Sequence, residues 1–245
     1  AGAVAHFLSI PFVLNPGIVF IAFLIGLSMG VHMLNLLTIP AMTFIYYFKT
    51  RKDINAQGIL LTGVLSILLL GFVYGIFIPQ VVNLSGKTEI MFVNDFGLPF
   101  NSGILFFFAV LITALVVSLK RSARAGRYFT NLILLSFTFL LMGFSLFATL
   151  VIRSNADTPI DQNNPEDAVG LYSYLKREQY GSAPLVKGHY WNSQVIGYED
   201  NTPVYMKDPK QGRYVVKQDR KNTIKTYNPK QEGFFPRMYN DTRGD

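Results

Sequence analysis

The sequence predicts an α-helical polytopic membrane protein with about four to five spans and a small α+β lobe outside the bilayer. Three observations lead there. Four long apolar stretches lie before Arg153, each near the roughly 20 helical residues that cross a hydrocarbon core. Polar, turn-rich sequence replaces them after Arg153. Charge divides at the same place: of 22 Lys and Arg, 14 lie from Arg153 onward against 12 acids, so the net +7 arises mainly in the apolar half. Residues 1–152 are therefore read as a transmembrane helical domain, and residues 153–245 as the lobe. A basic balance spread in this way argues against nucleic acid as a partner, which would gather the cations on one soluble face. The lipid bilayer is the partner it implies. With no Cys, the chain has neither disulfides nor thiolate metal sites.

Residues 1–14 read as the end of an earlier span, and Asn15-Pro16-Gly17 as a tight turn. The chain opens inside an apolar run without a signal-peptide flank, so it is read as an internal fragment. The first full stretch, residues 18–48, is longer than one span needs. Its Pro40 predicts either a kink or a span followed by a short interfacial helix. Residues 58–78, 103–119 and 128–152 provide the other spans.

Orientation follows from the positive-inside rule. Lys49, Arg51 and Lys52 follow the first span, and Lys120, Arg121, Arg124 and Arg127 fill the third connection. Both connections are then cytoplasmic. The loop at 79–102 and everything after Arg153 fall on the other side, the periplasm of a bacterium. The expected location is the bacterial cytoplasmic (inner) membrane, multi-pass, with a periplasmic lobe.

The tail holds 12 aromatic residues, enough to predict a folded unit. Residues 165–179 read as a helix: Asn164 caps it, Pro165 suits its first position, Glu166 and Asp167 favour its positive end, and Gly181 follows it. Leu171, Tyr174 and Leu175 form its apolar face. PLVKGHYWN, TPVYMKD and GRYVVKQ read as short strands between turns. QEGFFPRMYND reads as a docking segment.

Five ordered motifs carry a family resemblance: GLSMGVHMLNLLTIPA (26–41), FVNDFGLPFNSG (92–103), VIRSNADTPIDQNNPED (151–167), YLKREQYG (174–181) and FFPRMYND (234–241). Together they resemble the large Bacteroidetes membrane proteins related to protein O-mannosyltransferases. The resemblance implies a GT-C-like architecture: many membrane helices, a polyprenyl-phosphate-linked sugar donor, and a site on the outer face of the membrane. It also implies that the catalytic acid lies in a first external loop, upstream of these residues.

Several constellations are candidates for chemistry. Ser28, His32 and Asn35 fall at i, i+4 and i+7 and would form one polar stripe on a helix. Such a stripe suits interhelical hydrogen bonding, helped by Gly26 and Gly30, or a groove for the lipid carrier. Asn94 and Asp95 sit among Gly, Pro and Phe in the external loop; they suit either interfacial anchoring or the mouth of that groove. Asp95 is a minority candidate for the catalytic base. Arg153, at the outer end of the last span, can offer a planar fork of donors to a phosphate; a snorkelling contact or a pair with Asp157 is the ordinary alternative. Asn155, Asp157 and Asn163 stand beside it as donor-phosphate and sugar-binding candidates. Asp157, Asp161, Asn163, Glu166 and Asp167 offer oxygen ligands, so a divalent cation is the one cofactor left open. Their spacing is not that of a calcium loop, however, and a turn before a capped helix explains them equally. No metal ligand is assigned.

The reading that joins these observations is a membrane glycosyltransferase. It would move a sugar from a polyprenyl-phosphate-linked donor to a hydroxyl of an acceptor protein, an O-glycosylation on the outer face. One alternative keeps the fold and changes the acceptor to a lipid or glycan. Another is a non-enzymatic membrane scaffold or secretion-complex subunit whose external lobe binds a partner. A transporter fits less well, since paired charges deep in the spans are missing.

Overall fold

The structure, a computed structural model, describes residues 16–156, 159, 164–176, 186–200, 203, 205–216 and 223–236. The first apolar stretch is not one long span. Helix α1 (Pro16–Met29) is followed by a 3-10 turn (Met33–Leu37) and helix α2 (Thr38–Thr50). The break falls at Gly30 to His32 rather than at Pro40. Pro40 lies in the first turn of α2, where its missing N–H breaks no helical hydrogen bond. Pro16 likewise opens α1, so Pro16 and Gly17 of the expected turn lie in a helix start, while Asn15 lies outside the described residues.

Helix α3 (Ala56–Asp95) is continuous over 40 residues. Sequence reading ends this span at 78 because Pro79 follows, and places a loop at 79–102. Pro79 does not stop the helix. A Pro ring clashes with the carbonyl four residues back in an α-helix. Here the preceding turn, Phe72–Phe77, widens to π geometry, and the Ile78 N–H donates to the Val73 carbonyl. A second π turn, Met91–Asp95, ends α3. The external loop thus shrinks to residues 96–101. At about 1.5 Å per residue α3 is about 60 Å long, roughly twice the hydrocarbon thickness.

Helix α4 (Ser102–Arg124) and helix α5 (Tyr128–Ser154) match the remaining two apolar stretches, each extended by a few residues. Among the described residues three helices, α3, α4 and α5, are long and apolar enough to cross a membrane, and α1 is a shorter apolar helix. This is fewer than the four to five spans expected. The first stretch is broken in two, and residues 1–14, read as the end of an earlier span, lie outside the described residues.

Packing fixes how the helices run. Val19 of α1 clusters with Leu135 of α5, and further along Gly26 abuts the Leu140 carbonyl and Gly30 the Leu146 side chain. The two helices are therefore parallel. Gly26 and Gly143 face each other across this contact, and a Cβ on either would strike the partner's backbone. Small residues are what let two helices approach so closely. A core of Met29, Leu36, Val73, Ile78, Leu140 and Phe144 joins α1, α3 and α5.

The chain descends α4 from its start beside Glu89 and turns into α5 where Asn131 bonds Ser122. Helix α2 meets the start of α3 through Tyr47 and Gly58. Both basic connections therefore lie at the end of the bundle away from the 96–101 loop.

The lobe sits at the loop end. Helix α6 (Ala168–Leu175) packs Leu171 and Leu175 into the bundle core, with Val169 against Gly86 of α3. It is shorter than expected, and its cap is Asp167 rather than Asn164. The Gly170 N–H donates to Asp167 Oδ1 at 2.7 Å. Asn164 instead takes a left-handed backbone (φ 44°) that turns the chain into α6. Residues 177–179 and Gly181 lie outside the described residues.

Among the described residues three antiparallel pairs complete the lobe: β1 (Lys187–His189) with β6 (Glu232–Phe234), β2 (Val195–Asp200) with β5 (Thr223–Tyr227), and the hairpin of β3 (Tyr205–Asp208) with β4 (Arg213–Val216). β1, β3 and β4 fall inside the three segments read as strands. β6 occupies the start of the segment read as a docking element, whose residues from 237 lie outside the described ones.

Candidate functional site

The loop end of the bundle brings together the end of α3, the start of α4, the last turn of α5 and the lobe. Glu89 is the hinge of this junction. It is 0% exposed, and its carboxylate accepts from the N–H groups of Asn101 (2.5 Å), Gly103 (2.9 Å) and Ile104 (3.1 Å). These are unpaired donors at the start of α4, where the helix dipole also favours an anion. A cap supplied by a distant residue needs close approach, and a Cβ at Gly103 would strike the backbone of Thr88 and Glu89. The sequence carries the cue only faintly: Asn101 looks like a local cap, but its left-handed backbone (φ 73°) turns it away from that task.

Asn94 is engaged by the lobe. Its Nδ2 donates to the Tyr214 carbonyl at 2.8 Å, and its Oδ1 accepts from the Tyr214 N–H at 2.8 Å. A side-chain amide here replaces a neighbouring strand for one residue of β4. The Tyr214 ring meets Phe100 edge-on at 5.5 Å, and Lys207 Nζ stands 4.8 Å over the same Phe100 ring. Tyr214 is 2% exposed, and burial pushes its phenol well above the ordinary tyrosine range, with the charges of Asp167 and Glu89 adding to the effect. The Asp167 carboxylate lies near the Tyr214 hydroxyl, and its negative charge disfavours the phenolate.

Asn155 ties the last turn of α5 to the lobe linker, its Nδ2 donating to the Val151 carbonyl (2.8 Å) and the Glu166 carbonyl (2.6 Å). Ser154 Oγ bonds Asn164 Oδ1 at 3.1 Å, and Asn164 Nδ2 donates to Glu166 at 2.9 Å.

Arg153 lies in the same last turn, exposed, and its side chain makes no hydrogen bond or ion pair among the described residues. Asp95, at the end of α3, is likewise exposed and unpaired among them. Asp157, Asp161 and Asn163 lie outside the described residues. Among those described, no three His, Cys, Asp or Glu side chains are grouped to hold a metal.

Ser28, His32 and Asn35 do not form a stripe on one helix, because α1 ends before His32. They build the break instead. Ser28 Oγ donates to the Ile25 carbonyl (2.9 Å) and Asn35 Nδ2 to the Ser28 carbonyl (3.1 Å). His32 Nδ1 accepts from the Leu34 N–H at 3.2 Å, capping the 3-10 turn. The His32 ring is exposed and keeps Nε2 for another partner. Gly30 against Leu146 places this break within about two helical turns of Arg153.

The polar residues of this end thus fall into two groups. Glu89, Asn94, Asn155, Asp167, Ser28 and Asn35 hold the fold together. Arg153, Asp95 and His32 Nε2 face outward, able to supply a phosphate-binding cation, a carboxylate and a hydrogen-bond donor.

Residues 15–55, which span α1, the break, α2 and the basic turn after it, match a family described as the protein O-mannosyl-transferase TMEM260 N-terminal domain. The match relates this segment to protein O-mannosyltransferases. Residues 181–245, most of the β-rich lobe, match a separate family of unknown function (DUF8416). No curated protein and no solved structure matches the chain.

Proposed function

We propose that this chain is part of a membrane glycosyltransferase that moves a sugar from a polyprenyl-phosphate-linked donor to a hydroxyl of an acceptor protein. The match of residues 15–55 to an O-mannosyl-transferase domain is the observation that carries this reading. The arrangement around that segment supports it. The break between α1 and α2 lies beside the last turns of α5, where Arg153 is exposed and uncommitted among the described residues. In the reaction the acceptor oxygen bonds to the sugar carbon as the carbon–oxygen bond to the phosphate breaks. The phosphate leaves on the carrier with added negative charge, and the hydroxyl proton passes to a carboxylate.

In this reading Arg153 binds the donor phosphate and steadies the leaving charge. His32 and Asp95 line the approach of the donor from the membrane, and the proton-accepting carboxylate comes from a part of the enzyme outside residues 1–245. The basic turns face the cytoplasm and the lobe the periplasm of a bacterial inner membrane. The GT-C-like arrangement and the place among Bacteroidetes proteins belong to this same reading.

A second reading is a scaffold whose lobe binds a partner. It is favoured by the separate match of the lobe and by its exposed Trp191, Phe234 and Phe235. Transfer of labelled mannose from polyprenyl-phosphate mannose to acceptor protein by the purified full-length enzyme separates the two. Labelled product supports the transferase. Absence of product, with the lobe still retaining a partner protein, replaces it with the scaffold.

A further inference from the structure

The end of the bundle away from the lobe carries a charge cluster that the transferase reading does not use. Lys120, Arg121, Arg124 and Arg127 crowd the short connection between α4 and α5, all exposed. None has a side-chain hydrogen bond or ion pair among the described residues. The acid in the neighbouring basic turn, Asp53, is accompanied by Lys49, Arg51 and Lys52.

Cations in the last turn of a helix are partly explained by its dipole, as for Arg121 and Arg124 at the end of α4. That account does not extend to Arg127, which opens α5. Nor does it explain the bonds that close the turn. Asn131, 2% exposed, donates to Ser122 Oγ (2.7 Å) and to the Leu119 carbonyl (3.1 Å), while the Arg127 N–H donates to the Ser122 carbonyl (3.0 Å). Gly126 takes the left-handed backbone (φ 63°) that closes the turn. The four cations are thus held on a fixed frame.

What lies beside that frame is set by its neighbours. Phe129, the second residue of α5, is 77% exposed, and Val117, one turn before Lys120, is 40% exposed. Apolar side chains that begin directly under a ring of cations mark the depth at which acyl chains give way to headgroups. The groups that meet unpaired guanidinium and ammonium at that depth are lipid phosphates.

We propose that the α4–α5 turn is a binding site for acidic phospholipid headgroups, with Arg121, Arg124 and Arg127 contacting the phosphate. A preformed site of this kind prefers an anionic lipid over a zwitterionic one, and each juxtamembrane cation is worth about fivefold in affinity.

The test uses the full chain in nanodiscs of mixed phosphatidylglycerol and phosphatidylcholine, with retained lipid counted by native mass spectrometry after release. Phosphatidylglycerol is expected to be enriched on the parent, and the enrichment should fall as salt rises. The Arg121→Gln, Arg124→Gln double variant should lose it by about 25-fold, whereas Lys210→Gln, Lys230→Gln in the lobe should not. Circular dichroism checks that the variants keep their helices; if the double variant does not fold, the salt response of the parent decides. Equal retention of the two lipids, an enrichment indifferent to salt, or full enrichment in a folded double variant overturns the proposal. Displacement of the lipid by inorganic phosphate at equal concentration also overturns it, since the site would then be one for free anions.

Discussion

Asn94 holds Tyr214 by both halves of its amide, donating to the Tyr214 carbonyl and accepting from its N–H, each at 2.8 Å. One side chain at the end of a membrane helix thus replaces a strand neighbour in a lobe 120 residues later in the chain. The consequence is mechanical. The β3–β4 hairpin is fixed to α3, and α6 is fixed to the same helix by Leu171 and Val169. The lobe therefore presents one face to the end of the bundle that carries the 96–101 loop.

Asn94→Ala removes both bonds and leaves the Tyr214 backbone groups without their partner. Two such bonds are worth about 1–3 kcal/mol together. The loss should fall on the docking of the hairpin rather than on the helices. Hydrogen exchange should rise in β3 and β4 while α3, α4 and α5 stay protected. Asn94→Asp keeps the acceptor but cannot donate to the carbonyl, and should give an intermediate or larger effect. Unchanged exchange at Tyr214 in both variants would show that Phe100 and Lys207 alone hold the hairpin.

Tyr214 itself makes a pH prediction. Burial and the acids Asp167 and Glu89 raise its phenol above the ordinary value of 10.0, so the folded chain retains a proton that the unfolded chain releases. Stability from this group is complete below pH 10 and decreases as pH rises above it. Tyr214→Phe removes the titration, and should flatten the loss of stability between about pH 10 and 11. Alkaline unfolding curves for the two proteins check this.

The membrane character, the extents of α4 and α5, and the polar lobe were legible because long apolar runs and charge bias are local properties of the sequence. The break in the first stretch was not, since Ser28, His32 and Asn35 fit a helical stripe and a capped break equally well by spacing. Pro79 misled for a related reason. It forbids an α-turn, but nothing local signals that a π turn will absorb it. Glu89 and Asn94 were least legible of all. Their partners are backbone groups brought near by folding, and a side chain that bonds distant backbone leaves no pattern in the residues beside it. Arg153 lies in the last turn of α5, the end of the last apolar run, while the bond of Asn155 to the Glu166 carbonyl depends on a chain turn that no local pattern signals.

Orientation can be read by labelling, because the chain has no Cys. Ser122 is a poor probe, being 5% exposed and bonded to Asn131. Ala125 is exposed in the basic turn, and Lys210 is exposed in the lobe. With the basic end inside, an impermeant thiol reagent applied to intact cells should label Lys210→Cys and spare Ala125→Cys until the membrane is opened. The reverse pattern would place the lobe in the cytoplasm and remove the outer-face reaction.

Arg153 and Asn155 share the last turn of α5, but the structure gives them opposite tasks, and their variants should separate accordingly. Asn155 bonds the Val151 and Glu166 carbonyls, so Asn155→Ala should loosen the linker and lower the melting temperature, with activity falling only as folded protein is lost. Arg153 has no such tie among the described residues. Arg153→Ala should leave the melting temperature near that of the parent while transfer per folded molecule falls by one to two powers of ten, as expected for losing a charge-assisted contact worth about 1.5–3 kcal/mol. Arg153→Lys keeps the charge but not the planar fork, and should fall between the two. The measurement is mannose transfer normalised to folded protein, beside thermal unfolding of each variant. Normal transfer in a folded Arg153→Ala protein would make Arg153 an interfacial anchor and move the donor phosphate to another part of the outer end. A fall in transfer matched by an equal loss of folded protein would assign Arg153 to stability, and the phosphate role would be withdrawn.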